Sequence, residues 1–115
     1  MPIKNAIDLL KAICPDVMQQ GSMAPNKPYP ARFFTFWNPD TYDSKHYDNA
    51  ASGTVWELDV NFYSTDLLDI YSTIPQAIEA LRALGWIITG AGHAVASDCN
   101  THTGRGFTAV YLETI

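Results

Sequence analysis

Four side chains able to ligate a metal, His93, Asp98, Cys99 and His102, fall within ten residues of one another. Zinc accepts imidazole nitrogen, thiolate sulfur and carboxylate oxygen, and two histidines with a thiolate would fill three corners of a tetrahedron. The spacing holds no Cys-x-x-Cys pair and no His-Glu-x-x-His, and no second ligand cluster occurs elsewhere. Polar residues of a hairpin connection account for the same letters. Cys99 and His102 also form a candidate nucleophile and base, a chemistry that needs an activated thiolate and an oxyanion site. No nucleophile elbow accompanies them. His93, Cys99 and His102 thus carry one alternative, a small metal-dependent or thiol enzyme.

Two further groups invite a chemical reading. Gly104-Arg105-Gly106 spells a turn in which Arg105 would present its fork to a phosphate or carboxylate. In a chain with twelve acidic residues, pairing of Arg105 with an acid on a neighbouring strand or chain is the plainer expectation. Glu57 and Asp59 share the polar side of one strand, an arrangement used for acid and base work. Without a pocket to separate their pKa values they read as a solvated face or the wall of a lumen. Trp37, Trp56 and Trp86 belong to separate strand segments and are expected in the core. A platform for stacking single-stranded nucleic acid would need lysines and arginines around them.

The elements that position these residues are written in the hydrophobic periods. From Gly53 to Thr65, Trp56, Leu58, Val60 and Phe62 alternate with Val55, Glu57, Asp59, Asn61 and Tyr63. That period of two predicts a central strand buried on one side. Ile3, Ala6, Ile7, Leu10, Ile13 and Cys14 recur at three and four residues, which predicts a helix over 3–14 that Pro15 stops. A second helix is predicted over 72–85, with Thr73 and Gln76 as a capping box, Pro75 in the first turn and Gly85 at the end. Further strands are predicted at 31–38, at 86–89 with a glycine bend and a continuation at 93–96, and at 107–113. Between them lie a Pro-rich loop near 19–30, a long polar loop near 38–53 and a turn-rich hairpin connection over 97–106. Polar loops of that length are commonly functional, and Tyr42, His46 and Tyr47 would make the 38–53 loop a docking surface. The expected architecture is a single α+β domain over 1–115. A mainly antiparallel sheet of about four strands carries both helices on one face.

Composition narrows the function. The 115 residues suffice for one domain with its own core. A formal charge of −5, from seven basic and twelve acidic residues, removes the electrostatic grip that sequence-specific nucleic-acid binding needs. There is no apolar run long enough to span a membrane, and Lys4, Asp8 and Lys11 interrupt the N-terminal segment where a signal peptide would be continuously apolar. Two distant cysteines, Cys14 and Cys99, argue against a disulfide framework and for a reducing cytoplasm.

The order of the elements, with the phrases YPARFFTFWN, DSKHYDN, TVWELDVNFYST, ALGWIITGAGH and THTGRGFTAVYLE, resembles the small tail proteins of tailed phages and prophages of Gram-positive bacteria. The nearest class is the siphophage tail terminator or tail completion (head-tail joining) family. The resemblance spans essentially the whole chain and brings no catalytic motif. It implies a structural virion protein, not an enzyme, that forms a homo-oligomeric ring, commonly hexameric. Such a ring sits at the end of the tail tube and joins it to the head connector, after assembly in the host cytoplasm. No cofactor, metal or membrane is implied. The residues expected to make subunit or partner contacts are Tyr42, His46 and Tyr47 in the long loop, Glu57 and Asp59 on the strand, and His102 and Arg105 in the hairpin. A phage-encoded protein-interaction module is the remaining alternative.

Overall fold

Strand β6, Gly53–Ser64, runs through the middle of the sheet, hydrogen-bonded along both edges. The computed structural model describes residues 2–19, 29–39, 41–43, 46–47, 50–51, 53–97 and 101–114. One edge of β6 pairs antiparallel with β8, Thr103–Thr114, over the full length of both strands. The other edge is shared end to end by β2, Arg32–Trp37, and β3, Thr41–Asp43, both antiparallel to it. Strand β1, Val17–Gln19, lies parallel on the outside of β2, and β7, His93–Val95, lies antiparallel on the outside of β8. Strands β4, His46–Tyr47, and β5, Ala50–Ala51, pair with each other in a separate two-stranded sheet. Two helices, α1 over Pro2–Ile13 and α2 over Leu67–Ala83, complete an α+β fold with a mostly antiparallel sheet.

Both helices bury their stripes on one face of the sheet. Ile3, Ala6 and Leu10 of α1, and Ile70, Ile74, Ala77, Ile78 and Leu81 of α2, meet Leu58, Val60 and Phe62 of β6 in one core. The alternation read from the sequence is therefore the alternation of the sheet. Phe34 of β2 and Phe62 are register partners with ring centroids 4.7 Å apart, and both are fully buried. Each such ring contributes about 1.5–3 kcal/mol from burial alone.

The structure departs from the sequence expectation at several places: Trp37 is 45% exposed rather than in the core, and 86–89 makes an isolated bridge at Ile87 rather than a strand. The N-cap of α2 lies seven residues earlier than the Thr73 box predicts: it is Asp66, whose carboxylate accepts from the Leu68 N–H at 3.0 Å. Thr73 instead turns inward, 2% exposed, and donates to Asp69 Oδ1 at 2.9 Å, while Pro75 lies well inside the helix. The sheet has six strands rather than about four, because β1 and β3 are three-residue segments too short to show a period. The 38–53 segment is not simply a loop, since β3, β4 and β5 lie in it. Finally, Gly104-Arg105-Gly106 is not a turn but part of β8, held between β6 and β7.

Helix α2 ends as the glycine predicts. Trp86 N–H bonds to Leu81 O at 3.1 Å and Gly85 N–H to Arg82 O at 3.0 Å, the paired bonds of a Schellman cap. Gly85 takes φ +99°, which a side chain would strain. The cap turns the chain so that Trp86 and Ile88 are buried and Ile87 exchanges two backbone bonds with Val110.

Candidate functional site: the open face of the sheet

The face of β6 that points away from the helices is covered only at one end by described side chains. Register places its residues in rows across the strands. Phe33, Tyr63, Gly104 and Val95 form the first, and Thr35, Asn61, Gly106 and His93 the second. Trp37, Asp59 and Thr108 form the third, Glu57, Val110 and Ile87 the fourth, and Val55 with Leu112 the fifth.

The first row is closed over. Tyr29 stacks on Phe33 with centroids 5.5 Å apart, Phe33 stacks on Tyr63 at 5.1 Å, and the His102 ring meets Phe33 edge-on at 5.7 Å. His102 Nε2 lies 2.7 Å from the Pro30 carbonyl, so that nitrogen carries the proton and donates. Its Nδ1 is 3.0 Å from the Thr101 hydroxyl, which leaves neither ring nitrogen open to a metal or a substrate proton. Sequence reasoning placed His102 among contact residues; the structure makes it a clamp that ties the start of β8 to the approach to β2.

The lower rows stay exposed and are apolar as well as acidic. Trp37 is 45% exposed, Ile87 60% and Leu112 49%, with Glu57 and Asp59 half-buried among them. Asp59 is held in place by the Thr108 hydroxyl, which donates to Oδ1 at 2.8 Å. Glu57 keeps its strand position partly through Asn38, whose side-chain amide donates to the Glu57 carbonyl at 2.7 Å. Comparison with known protein families and with curated proteins gave no match to this chain.

Arg105 does not join the open face. Its side chain falls on the helix side, where Nη2 donates to the Gly92 carbonyl at 3.0 Å and the guanidinium lies 5.4 Å from the Tyr71 ring centroid. It meets a carbonyl and an aromatic ring rather than the acid expected from the sequence. Arg105 thus fastens the glycine bend between Ile88 and β7 to the outside of α2. Tyr42 pairs with Val55 through the backbone, while His46 and Tyr47 pair with Ala51 and Ala50. The side chains of Tyr42, His46 and Tyr47 lie outside the described residues, as do Asp98 and Cys99. His93 is exposed on β7, and no group of three or more metal-ligating side chains occurs among the described residues.

The sequence offered no signal for a second polar cluster, at the start of α2. Arg32 Nη2 donates to Thr73 Oγ1 at 3.2 Å, and its Nε stands 3.0 Å from Asp69 Oδ2, close enough for an ion pair although that N–H is not aimed along a hydrogen bond. Ser64 donates to Asp69 Oδ2 at 3.0 Å and accepts from the Asp66 N–H at 3.1 Å. These contacts join β2, the end of β6 and the first turn of α2 at one point. A cleft of about 560 Å³ opens beside them, lined by Ala31, Arg32, Ser64, Asp66, Leu68 and Ser72 among others. Asp69 is saturated by internal partners, so the cluster reads as a brace for the helix start. No helix among the described residues is long and apolar enough to cross a membrane.

Proposed function

We propose that this chain is a structural subunit of a phage or prophage tail, of the tail terminator or tail completion kind. It assembles with copies of itself into a ring at the end of the tail tube and joins the tube to the head connector, in the bacterial host cytoplasm. It is not an enzyme, and it uses neither metal nor cofactor.

The observation that carries this reading is the exposed end of the open face. Trp37 on β2, Leu112 on β8 and Ile87 beside β8 stand 45–60% exposed on this face, with Glu57 and Asp59 of β6 between Trp37 and the other two. Large exposed apolar side chains interspersed with polar groups mark a protein contact, and their place on hydrogen-bonded strands gives that contact a fixed shape. The sequence resemblance supplies the kind of partner. The formal charge of −5 suits a negative lumen through which DNA passes without adhering. The engagement of both His102 nitrogens, and of Arg105 by Gly92 and Tyr71, favours this reading over the enzyme alternative.

Mass-spectrometric analysis of purified virions or induced prophage particles tests it. The chain is expected in intact tails at a few to a dozen copies, located at one end by gold-labelled antibody. Its absence from purified particles made by a host that expresses it overturns the proposal.

A further inference from the structure

Beyond its first row the open face is left uncovered by the described side chains of one copy, and the described charges point to what fits it. Five of the seven basic residues are described, and three of them are committed within the fold. Arg32 is held by Asp69 and Thr73, Arg105 by Gly92 and Tyr71, and Arg82 by the Ile88 carbonyl at 2.7 Å with Glu79 beside it. The other two, Lys4 and Lys11, stand exposed on the solvent side of α1 with Asp8 between them, paired to Lys4 at 2.9 Å, which leaves that side with a net charge of +1. Two open faces laid against each other would set Glu57 and Asp59 of one copy against the same carboxylates of the other. Like charges brought together in an interface cost several kcal/mol, so a symmetric face-to-face dimer is disfavoured.

Resting on the reading of the chain as a ring-forming subunit, we infer that the open face of one copy seats on α1 of the next. Glu57 and Asp59 meet Lys4 and Lys11, and Trp37 and Leu112 supply the buried apolar area. Lys4 and Lys11 are seven residues apart, two helical turns and about 10 Å along one side of α1. Glu57 and Asp59 are two strand residues apart, about 7 Å. The flexible lysine stems close the difference. Because the two surfaces are different, the contact is head-to-tail, and repetition yields a closed ring or a filament rather than a dimer.

Charge exchange tests the contact. Sedimentation of the full chain is compared for wild type, for E57K/D59K and for K4E/K11E, with circular dichroism as the check on folding. Each variant alone sets like charges across the contact and is expected to raise the self-association Kd about tenfold or more. Mixing the two variants pairs a basic face with an acidic helix and an acidic face with a basic helix, and is expected to restore assembly. Restoration also shows that both variants are folded. Wild-type assembly with either variant unaffected, or a mixture that stays as weak as its components, overturns the proposed contact and leaves the tail assignment standing. A wild-type chain that remains monomeric at millimolar concentration overturns the contact too, while its presence in virions continues to test the tail assignment separately.

Discussion

The ring of Tyr63 lies flat across Gly104, its cross-strand partner, so closely that a methyl group on Gly104 would come within 2.6 Å of Tyr63 Cε1. The next pair along β8 repeats the arrangement: a methyl on Gly106 would meet Asn61 Oδ1 at 2.0 Å and the Val60 carbonyl at 2.7 Å. The two glycines stand in a strand because side chains of β6 occupy the space above them.

Substitution at these glycines therefore overpacks the sheet. Gly106→Ala is expected to destabilise by about 1–3 kcal/mol, and Gly104→Ala by less, because one clash involves fixed backbone and the other a ring and Val95 that can shift. Urea unfolding at equilibrium measures both. Equal stability of the three proteins would show that Tyr63, Asn61 and the Val60 carbonyl do not fill the space above these glycines.

Asp69 links Arg32, Ser64 and Thr73 at the start of α2, whereas Asp66 only caps the helix. Asp66→Ala is expected to remove about 1 kcal/mol. Asp69→Ala should remove more, about 1–3 kcal/mol, because it leaves a partly buried guanidinium without its counter-ion and two hydroxyls without their acceptor. Thermal denaturation of the two variants side by side reads the order, and a larger loss at Asp66 would refute the bracing role.

Thr35 is 7% exposed and its hydroxyl has no hydrogen-bond partner among the described residues. Burying an unmade hydroxyl is unfavourable, and valine keeps the branched shape that suits β2. Thr35→Val is expected to raise stability by about 1 kcal/mol. A fall in the unfolding midpoint would mean that this hydroxyl is satisfied in solution.

Trp37 and Leu112 belong to the exposed patch and contribute little to the core of a single copy. Trp37→Ser and Leu112→Ser are expected to change monomer stability by less than about 1 kcal/mol while weakening self-association. Light scattering across a dilution series, with unfolding curves on the same samples, separates the two effects. Loss of folding without a change in association would place these side chains inside the fold.

The amino-acid pattern by itself determined the strand of β6, the stripes of both helices, the Gly85 stop and the α+β class. Each of these follows from a local period or a backbone preference carried by the residues concerned. Tertiary structure decided what depends on partners far along the chain. His102 is fixed by a carbonyl 72 residues away. The start of α2 moved to Asp66 because the hydroxyl of Thr73 was drawn to Asp69 rather than used as a cap. Gly104-Arg105-Gly106, with the local signature of a turn, became strand because Tyr63 and Asn61 reach over from β6 and β7 closes the other edge. Arg105 was turned to the helix side by that same register. The alternation of Glu57 and Asp59 with apolar neighbours was legible from the start. That their face remains open, with Trp37, Ile87 and Leu112 around it, became visible only when both helices were placed on the other side.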